Sequence, residues 1–183
     1  MSVSEAEAQQ VLAAREGDKE AFSELAKHHW ARLVRLARSL VGEAAAEDAV
    51  QEGLIMAWNK LDRLREPRAF GHWQYRIVSR KCLHEVRKSK SWVSIETLSE
   101  PSNGVASTQS ELEVEQILRR LAPQQRAVMH LTVVEGMTDS EIGNVLNLRP
   151  ASVRSHRRRA RESLSRWLQK EEKKRWMKTV ETQ

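Results

Sequence analysis

Cysteine, glycine, proline and long apolar runs are all scarce in this chain of 183 residues. The single cysteine, Cys82, excludes an internal disulfide framework and a zinc site built on several thiolates. No apolar run approaches the ~20 residues that a membrane-spanning helix requires. The polar, acidic N-terminal residues lack the features of a secretory signal. We therefore expect a cytoplasmic protein without a membrane span.

Residues that break helices are few, and this favours an all-α fold. The chain has seven glycines and four prolines, and its apolar residues recur every three or four positions. In the N-terminal part, helices are predicted at residues 5–15, 19–41, 44–61 and 68–87. In the C-terminal part, apolar periodicity resumes over residues 112–121, and helices are predicted at residues 123–134 and 140–146 and from residue 151 onward. Asp18 and either Thr138 or Asp139 are predicted N-caps.

A serine-rich segment, residues 89–110, divides these helices into two groups. It has little capacity to form a core and is predicted to be a flexible linker. Residues 1–88 are predicted to form a helical bundle, and residues 111–168 a second small helical domain with a helix-turn-helix. Residues 169–183 form a charged tail that either extends the last helix or frays.

Charge alternates in blocks along the chain, which the net charge of +6 conceals. Residues 1–66 have a net charge of −3 and residues 93–147 one of −5, whereas residues 67–92 carry +6 and residues 148–183 carry +8. Two basic blocks, each next to a motif, suggest two nucleic-acid surfaces, with the acidic blocks facing another partner. Ordinary solvated helix faces are the alternative.

The segment from Met137 to Arg161 has the pattern of a helix-turn-helix. Its second helix directs Val153 and Ala160 toward the core and carries arginines on its other faces. In such a motif the second helix lies in the major groove, where side chains near its start reach base edges and later arginines bind phosphate. The DNA-contacting residues predicted on this helix are Ser152, Arg154, Ser155, Arg158 and Arg159. A charged helical hairpin is the alternative.

Two helices of the N-terminal part carry further signals. The helix at 44–61 places Asp48, Gln51 and Glu52 on one face, which either docks on a basic partner or is simply solvated. The helix at 68–87 combines aromatic with basic residues, a pattern that suits unpaired bases and their backbone. Most of its aromatic residues fit the core equally well, and Tyr75 fits either role.

Nothing in the sequence indicates an enzyme. It contains neither a glycine-rich phosphate loop nor a nucleophile motif. The neighbouring carboxylates of Asp48 and Glu52 have no metal ligand or poised histidine to accompany them. His28 and His29 are adjacent, which is unsuitable for sharing one metal ion from a helix. We expect neither a cofactor nor a metal site.

The order and spacing of these motifs over residues 8–168 resemble those of bacterial RNA polymerase sigma factors of the extracytoplasmic-function (ECF) group. Residues 47–58 resemble the polymerase-binding region 2.2. Residues 70–88 resemble regions 2.3 and 2.4, which melt the promoter and read the −10 element. Residues 121–143 resemble region 4, and residues 153–161 resemble its −35-reading helix.

This resemblance implies a non-enzymatic protein that binds core RNA polymerase and directs it to promoters, with an anti-sigma factor as a further partner. It implies that Asp48, Gln51 and Glu52 bind polymerase. It also implies that the five DNA-contacting residues predicted on the second helix of the helix-turn-helix bind the −35 duplex. The residues assigned to the melted −10 strand are Arg76, Arg80, Lys81, His84, Arg87 and Lys88. Arg80 and His84 stand where the family often has Asn and Asp, so we expect an altered −10 preference.

Other kinds of protein fit part of the pattern. A stand-alone helix-turn-helix regulator would use residues 137–167 in the same way but would leave the acidic helix unexplained. An interaction protein that mimics a sigma factor would sequester polymerase, or an anti-sigma partner, without supporting transcription. An RNA-binding helical protein has little beyond charge in its favour.

Overall fold

The computed structural model describes residues 5–88 and 117–181, with side chains described as far as residue 173. Seven α-helices lie wholly within these residues, and no β-strand occurs among them. Their bounds are α1 Glu5–Arg15, α2 Lys19–Val41, α3 Glu43–Trp58, α4 Phe70–Lys88, α5 Pro123–Val133, α6 Asp139–Leu146 and α7 Pro150–Glu181. The predicted all-α fold is confirmed, whereas the linker predicted at 89–110 lies outside the described residues. Among the described helices, none combines the length and apolar character that crossing a membrane demands.

Local sequence signals set several helix ends. The Asp18 side chain caps α2 by accepting hydrogen bonds from the backbone N–H groups of Glu20 and Ala21, at 2.9 and 3.0 Å. Gly42, with φ of 89°, ends the same helix as predicted. At the other end of the chain, α7 continues to Glu181, so the charged tail extends the last helix as far as this residue.

Two predicted boundaries between α3 and α4 are wrong by less than one turn. α3 ends at Trp58 rather than at Leu61, because the N–H of Lys60 donates to the carbonyl of Ala57, three residues away. This tighter bonding leads into a separate 3₁₀ turn at Leu61–Arg63. A second 3₁₀ turn covers the three residues before Phe70, so α4 begins later than predicted.

The turn between α6 and α7 depends on specific backbone conformations. Thr138 and Glu141 form a capping box at the start of α6, in which each side chain accepts a hydrogen bond from the other's backbone N–H. Asn147 ends α6 with φ of 57°, and the N–H of Leu148 donates to the carbonyl of Gly143 at 2.9 Å. A Cβ at Gly143 would lie 2.7 Å from the backbone oxygen of Leu148, so glycine fits this turn best.

The two helical parts pack on each other around a shared apolar core. α2, α3 and α4 pack together, and α5 and α6 pack over α2 and α4 while contacting α7. One core cluster contains buried side chains from both parts, among them Leu33, Ala37, Val78, Leu131 and Ile142. The sequence predicts the apolar face of each helix, but it does not predict this contact between the two parts.

Replacing Gly143 with alanine should destabilise the helix-turn-helix, because the new methyl group meets a backbone oxygen that cannot rotate away. Overpacking of this kind costs about 1–3 kcal/mol, so we expect a lower urea midpoint of unfolding. Asn147→Gly is the matched control, since glycine adopts a positive φ without strain. Equal midpoints for the wild-type and Gly143→Ala proteins would show that the turn tolerates a side chain.

Candidate nucleic-acid and protein interfaces

The acidic face predicted on α3 is exposed and continues into an apolar patch. Asp48, Gln51 and Glu52 all face solvent, while the opposite side of the helix is buried. Ile55 follows one turn later and is 61% exposed, with Met56 beside it. Apolar surface of this kind is favourable to bury against a partner. Sequence reasoning missed Ile55, although its spacing of three from Glu52 and four from Gln51 places it on the same face.

Lys81 links the acidic face of α3 to the basic face of α4. Its ammonium group forms ion pairs with Glu52 and, at 3.0 Å, with Glu85. Hydrogen bonds to these two carboxylates raise the pKa of Lys81. The two helices approach closely in this part of the bundle, since a Cβ at Gly53 would lie 2.8 Å from a methyl carbon of Val78. The predicted contact of Lys81 with DNA would therefore have to replace these ion pairs.

The other predicted −10 residues form one stripe along α4. The first four of them are spaced three or four residues apart, which places them on one helix face, and the fifth lies next to the fourth at the end of the helix. Four of them are exposed and the first is half-buried; in chain order they are Arg76, Arg80, His84, Arg87 and Lys88. The structure therefore brings together the −10 residues that the sequence predicts, except Lys81, which is paired with Glu52 and Glu85.

The aromatic residues of α4 belong to the core. Phe70 and Trp73 are buried against α1 and α2, as their helical spacing indicates. Tyr75 is completely buried and lies on the side of α4 that the C-terminal part covers. This tyrosine, which the sequence assigns to neither role, is therefore inaccessible for stacking on a base in the packed molecule.

On α7, the predicted DNA-contacting side chains lie outside the buried stripe of Val153 and Ala160. The arginines are exposed and the serines are half-buried; the five residues are Ser152, Arg154, Ser155, Arg158 and Arg159. Arg158 also pairs with Glu162 at 2.8 Å. Because both members of that pair are exposed, phosphate can replace the carboxylate at little cost.

Arg157, which is not among the predicted DNA contacts, fixes α7 against α6. Its guanidinium pairs with the carboxylate of Asp139, at the start of α6, at 2.7 Å. Arg154 lies 3.8 Å from the same carboxylate and is far more exposed. Sequence reasoning missed this pair because its members are 18 positions apart and on different helices.

A buried carboxylate, Glu135, joins the two helical parts. Its side chain is only 1% exposed, and it accepts hydrogen bonds from the Arg32 guanidinium of α2 at 2.7 and 3.1 Å. The Nε2 atom of His130 lies 3.8 Å from the other carboxylate oxygen. The buried Tyr75 of α4 also interacts with this group. Side chains from both parts therefore surround one buried charge.

The partners of Glu135 keep it ionised. Burial by itself would raise the pKa of this carboxyl, because it disfavours the charged form. The interactions with His130 and Tyr75, together with the charge of Arg32, outweigh burial and hold the pKa of Glu135 below its ordinary value. Burial raises the pKa of Tyr75 well above its ordinary value, so its phenol stays neutral.

Arg126 makes a second polar connection between the two parts. Its guanidinium donates to the backbone carbonyls of Ser39 at 2.9 Å, Arg119 at 2.6 Å and Leu121 at 3.0 Å. Ser39 lies in the last turn of α2, where free carbonyls carry partial negative charge. Burial and the neighbouring Arg119 lower the pKa of Arg126 to about 10, so it remains charged at neutral pH. The acceptors are backbone groups, which no side-chain pattern reveals.

Two family models match the chain. The model for sigma-70 region 2 matches residues 25–92, and the model for sigma-70 region 4 matches residues 111–164. The ECF RNA polymerase sigma factor SigM of Mycobacterium tuberculosis is 30% identical over 156 residues, covering 83% of this chain and 79% of SigM. The RNA polymerase sigma factor CnrH of Cupriavidus metallidurans is 30% identical, covering 92% of this chain and 98% of CnrH. The chain belongs to the ECF RNA polymerase sigma factor family.

Solved structures agree with the fold. CnrH in complex with the cytosolic domain of CnrY has a TM-score of 0.68 and 28% identity, covering 90% of this chain and 98% of that one. The sigma factor RpoE of Bartonella quintana, in complex with the anti-sigma factor NepR, has a TM-score of 0.65 and 22% identity, over 81% and 96% of the two chains. The resemblance inferred from the sequence is confirmed, while the individual contacts assigned to polymerase and promoter stay predictions.

Replacing Glu135 with glutamine should remove an acid-sensitive part of the stability. A carboxylate whose folded pKa is lowered stabilises the protein above its unfolded pKa, and this contribution is lost as the pH falls through the folded value. We therefore expect the free energy of unfolding to fall less for Glu135→Gln than for wild type between about pH 6 and about pH 3, the range that spans the unfolded pKa and the lowered folded pKa.

Urea unfolding at a series of pH values measures this difference. Glu16→Gln, which removes an exposed carboxylate, is the control and should follow the wild-type profile. Parallel profiles for wild type and Glu135→Gln would mean that folding does not change the pKa of the buried carboxyl group.

Proposed function

We propose that this protein binds core RNA polymerase and directs it to promoters, where region 4 reads the −35 element and region 2 reads the −10 element and aids melting. The observation that carries this proposal is that three helices each present a different, largely exposed charged face. The face of α3 is acidic, and those of α4 and α7 are rich in arginine. Membership of the sigma factor family supports it. The function requires no catalytic group, and we expect it in the cytoplasm.

Polymerase docking is assigned to the exposed face of α3. Charges at an interface steer association and fix register, while a desolvated apolar side chain supplies binding energy. Glu52 already pairs with Lys81, so polymerase would have to compete for it. Asp48 and Ile55 are exposed, and they are therefore the residues that we expect to contribute most.

The stripe on α4 is assigned to the −10 strand. Its basic groups neutralise phosphates, which gives affinity without sequence information. Capture of an unstacked base costs a few kcal/mol, so an easily melted step is favoured. Tyr75 is buried while regions 2 and 4 are packed together, so this tyrosine becomes available for stacking on the base only after the regions separate. Arg80 and His84 lie within the stripe, which supports an altered −10 preference.

The start of α7 is assigned to the −35 duplex. Arg154 lies in the second turn of this helix and is exposed, as direct reading of a base edge requires. Arg158 and Arg159 lie about one turn further along, where phosphate contacts would set the position of the helix. The ion pair between Arg157 and Asp139 holds the helix at a fixed angle for this contact.

The packed arrangement is too small to contact both promoter elements at once. Elements centred at −35 and −10 are about 25 base pairs, or about 85 Å, apart along B-DNA. A compact chain of this length is only about 40 Å across. Residues 89–116 could span at most about 100 Å if fully extended. We therefore propose that regions 2 and 4 separate when the protein acts at a promoter.

An anti-sigma factor is the further partner that we propose. CnrH was solved with the cytosolic domain of CnrY, and RpoE of Bartonella quintana with the anti-sigma factor NepR. A protein that covered the exposed face of α3 would compete directly with polymerase. Such a partner needs no change in the packing of regions 2 and 4.

Introducing a cation into the α3 face should weaken assembly with core polymerase. We expect the double variant Asp48→Lys, Ile55→Ala to lose at least about ten-fold in affinity, because it removes both the acidic and the apolar contact. Glu16→Lys makes the same charge change away from this face and should bind normally. Fluorescence anisotropy of the labelled protein with core polymerase measures the affinity, and circular dichroism checks folding. Equal affinities would remove α3 from the docking surface.

Two arginines of α7 should differ in how they affect −35 binding. Arg154→Ala should cost about 1–3 kcal/mol on the preferred promoter and relax the sequence preference at one position. Arg159→Ala should weaken binding to all −35 sequences alike and reduce the slope of the salt dependence by about 1. Binding of the holoenzyme to a −35 library at several salt concentrations separates the two effects. If both variants changed specificity equally, the division into base and phosphate contacts would be wrong.

A further inference from the structure

Away from the α3, α4 and α7 faces, α1 and α2 bring together Glu7, His28 and His29. One oxygen or nitrogen atom of each lies within 4.8 Å of the others. The Oε1 atom of Glu7 is 2.8 Å from Nε2 of His29. Two adjacent histidines on one helix are a poor metal site by themselves. Here Glu7, from α1, adds a third ligand, which the sequence positions do not reveal.

The cluster is partly enclosed and partly open. The side chains of His29 and Glu7 are 3% and 13% exposed, whereas His28 lies at the surface. A ring contact with Phe70, at 5.8 Å between centroids, helps to hold the imidazole of His29 in place. Its Nδ1 atom is buried and has no hydrogen-bond partner in the described part of the chain.

The donor set fits a particular class of metal. Two imidazoles and one carboxylate suit zinc, nickel, cobalt and copper, whereas magnesium and calcium prefer oxygen ligands alone. Ligands at about 2.0–2.1 Å from a tetrahedral metal are about 3.3 Å apart. The Glu7 and His29 atoms, 2.8 Å apart, therefore have to move slightly apart to admit the metal between them, while the exposed side chain of His28 can move to reach it.

We propose that Glu7, His28 and His29 form a binding site for a divalent transition metal ion of the zinc, nickel and cobalt class. The metal replaces the hydrogen bond between α1 and α2 and leaves one coordination position open to water. It thereby ties α1 to the rest of region 2. α1 already contacts the approach to α4 through an ion pair of Glu5 with Arg68 at 2.6 Å. Metal binding is thus expected to stabilise the end of the bundle from which α4 begins.

Isothermal titration of the full-length protein, prepared without a polyhistidine tag, tests the site. The probes are zinc, nickel and cobalt chlorides, with magnesium chloride as the control ion. We expect one equivalent of each transition metal to bind and magnesium not to bind. Thermal unfolding provides a second readout, because an ion that binds the folded state raises its midpoint.

Variants of His28, the exposed ligand, and of Glu7, the carboxylate ligand, test the site with little change to the buried core. His28→Gln and Glu7→Gln should each lower zinc affinity at least about ten-fold and abolish the zinc-dependent rise in midpoint. His156→Gln, which changes a half-buried histidine on α7, should bind zinc like wild type. Absence of binding to the wild type, or equal binding by the wild type and His28→Gln, would overturn the proposal. Neither result depends on transcription activity.

Discussion

The buried charge of Glu135 is the constraint on which the packing of regions 2 and 4 depends. A carboxylate removed from water costs several kcal/mol unless partners compensate, and its main partner, Arg32, comes from the other region. Arg126 repeats this arrangement, since it lies against carbonyls of both regions. A docking that kept Glu135 buried without Arg32, or the carbonyl of Ser39 without Arg126, would lose these hydrogen bonds. The polar contacts thus specify one arrangement, while the shared apolar core supplies most of the stabilisation.

Separating the regions costs less free energy at these polar contacts than at the apolar core. Water can hydrate Glu135 and Arg32 once they part, whereas the apolar side chains around Leu131 and Ile142 gain no such compensation. Separation therefore needs a partner that binds the open form more tightly than the packed one. The α3 face, to which we assign polymerase docking, is exposed while the regions are packed, so the proposed docking does not require region 4 to move first.

Features whose determinants lie close together in the sequence were predictable. The Asp18 cap is formed as predicted, and of the two predicted caps of α6 the structure has Thr138; both caps bond to backbone N–H groups at most three positions away. The pairing of Lys81 with Glu52 was not predictable, because it depends on how α3 packs on α4. The burial of Tyr75 likewise depends on a distant region. Periodicity identifies the apolar side of a helix but not the element that covers it.

The basic residues of this protein divide into two groups that composition alone does not separate. Arg157 and Arg126 hold helices in position through half-buried contacts with Asp139 and with backbone carbonyls. Arg159 and Arg80 are exposed and can bind phosphate without first losing a buried partner. A count of charges therefore overstates the number of phosphates that the protein can neutralise. Since the salt dependence of DNA binding follows the number of phosphates neutralised, the paired residues contribute to the orientation of the DNA-binding helices rather than to that dependence.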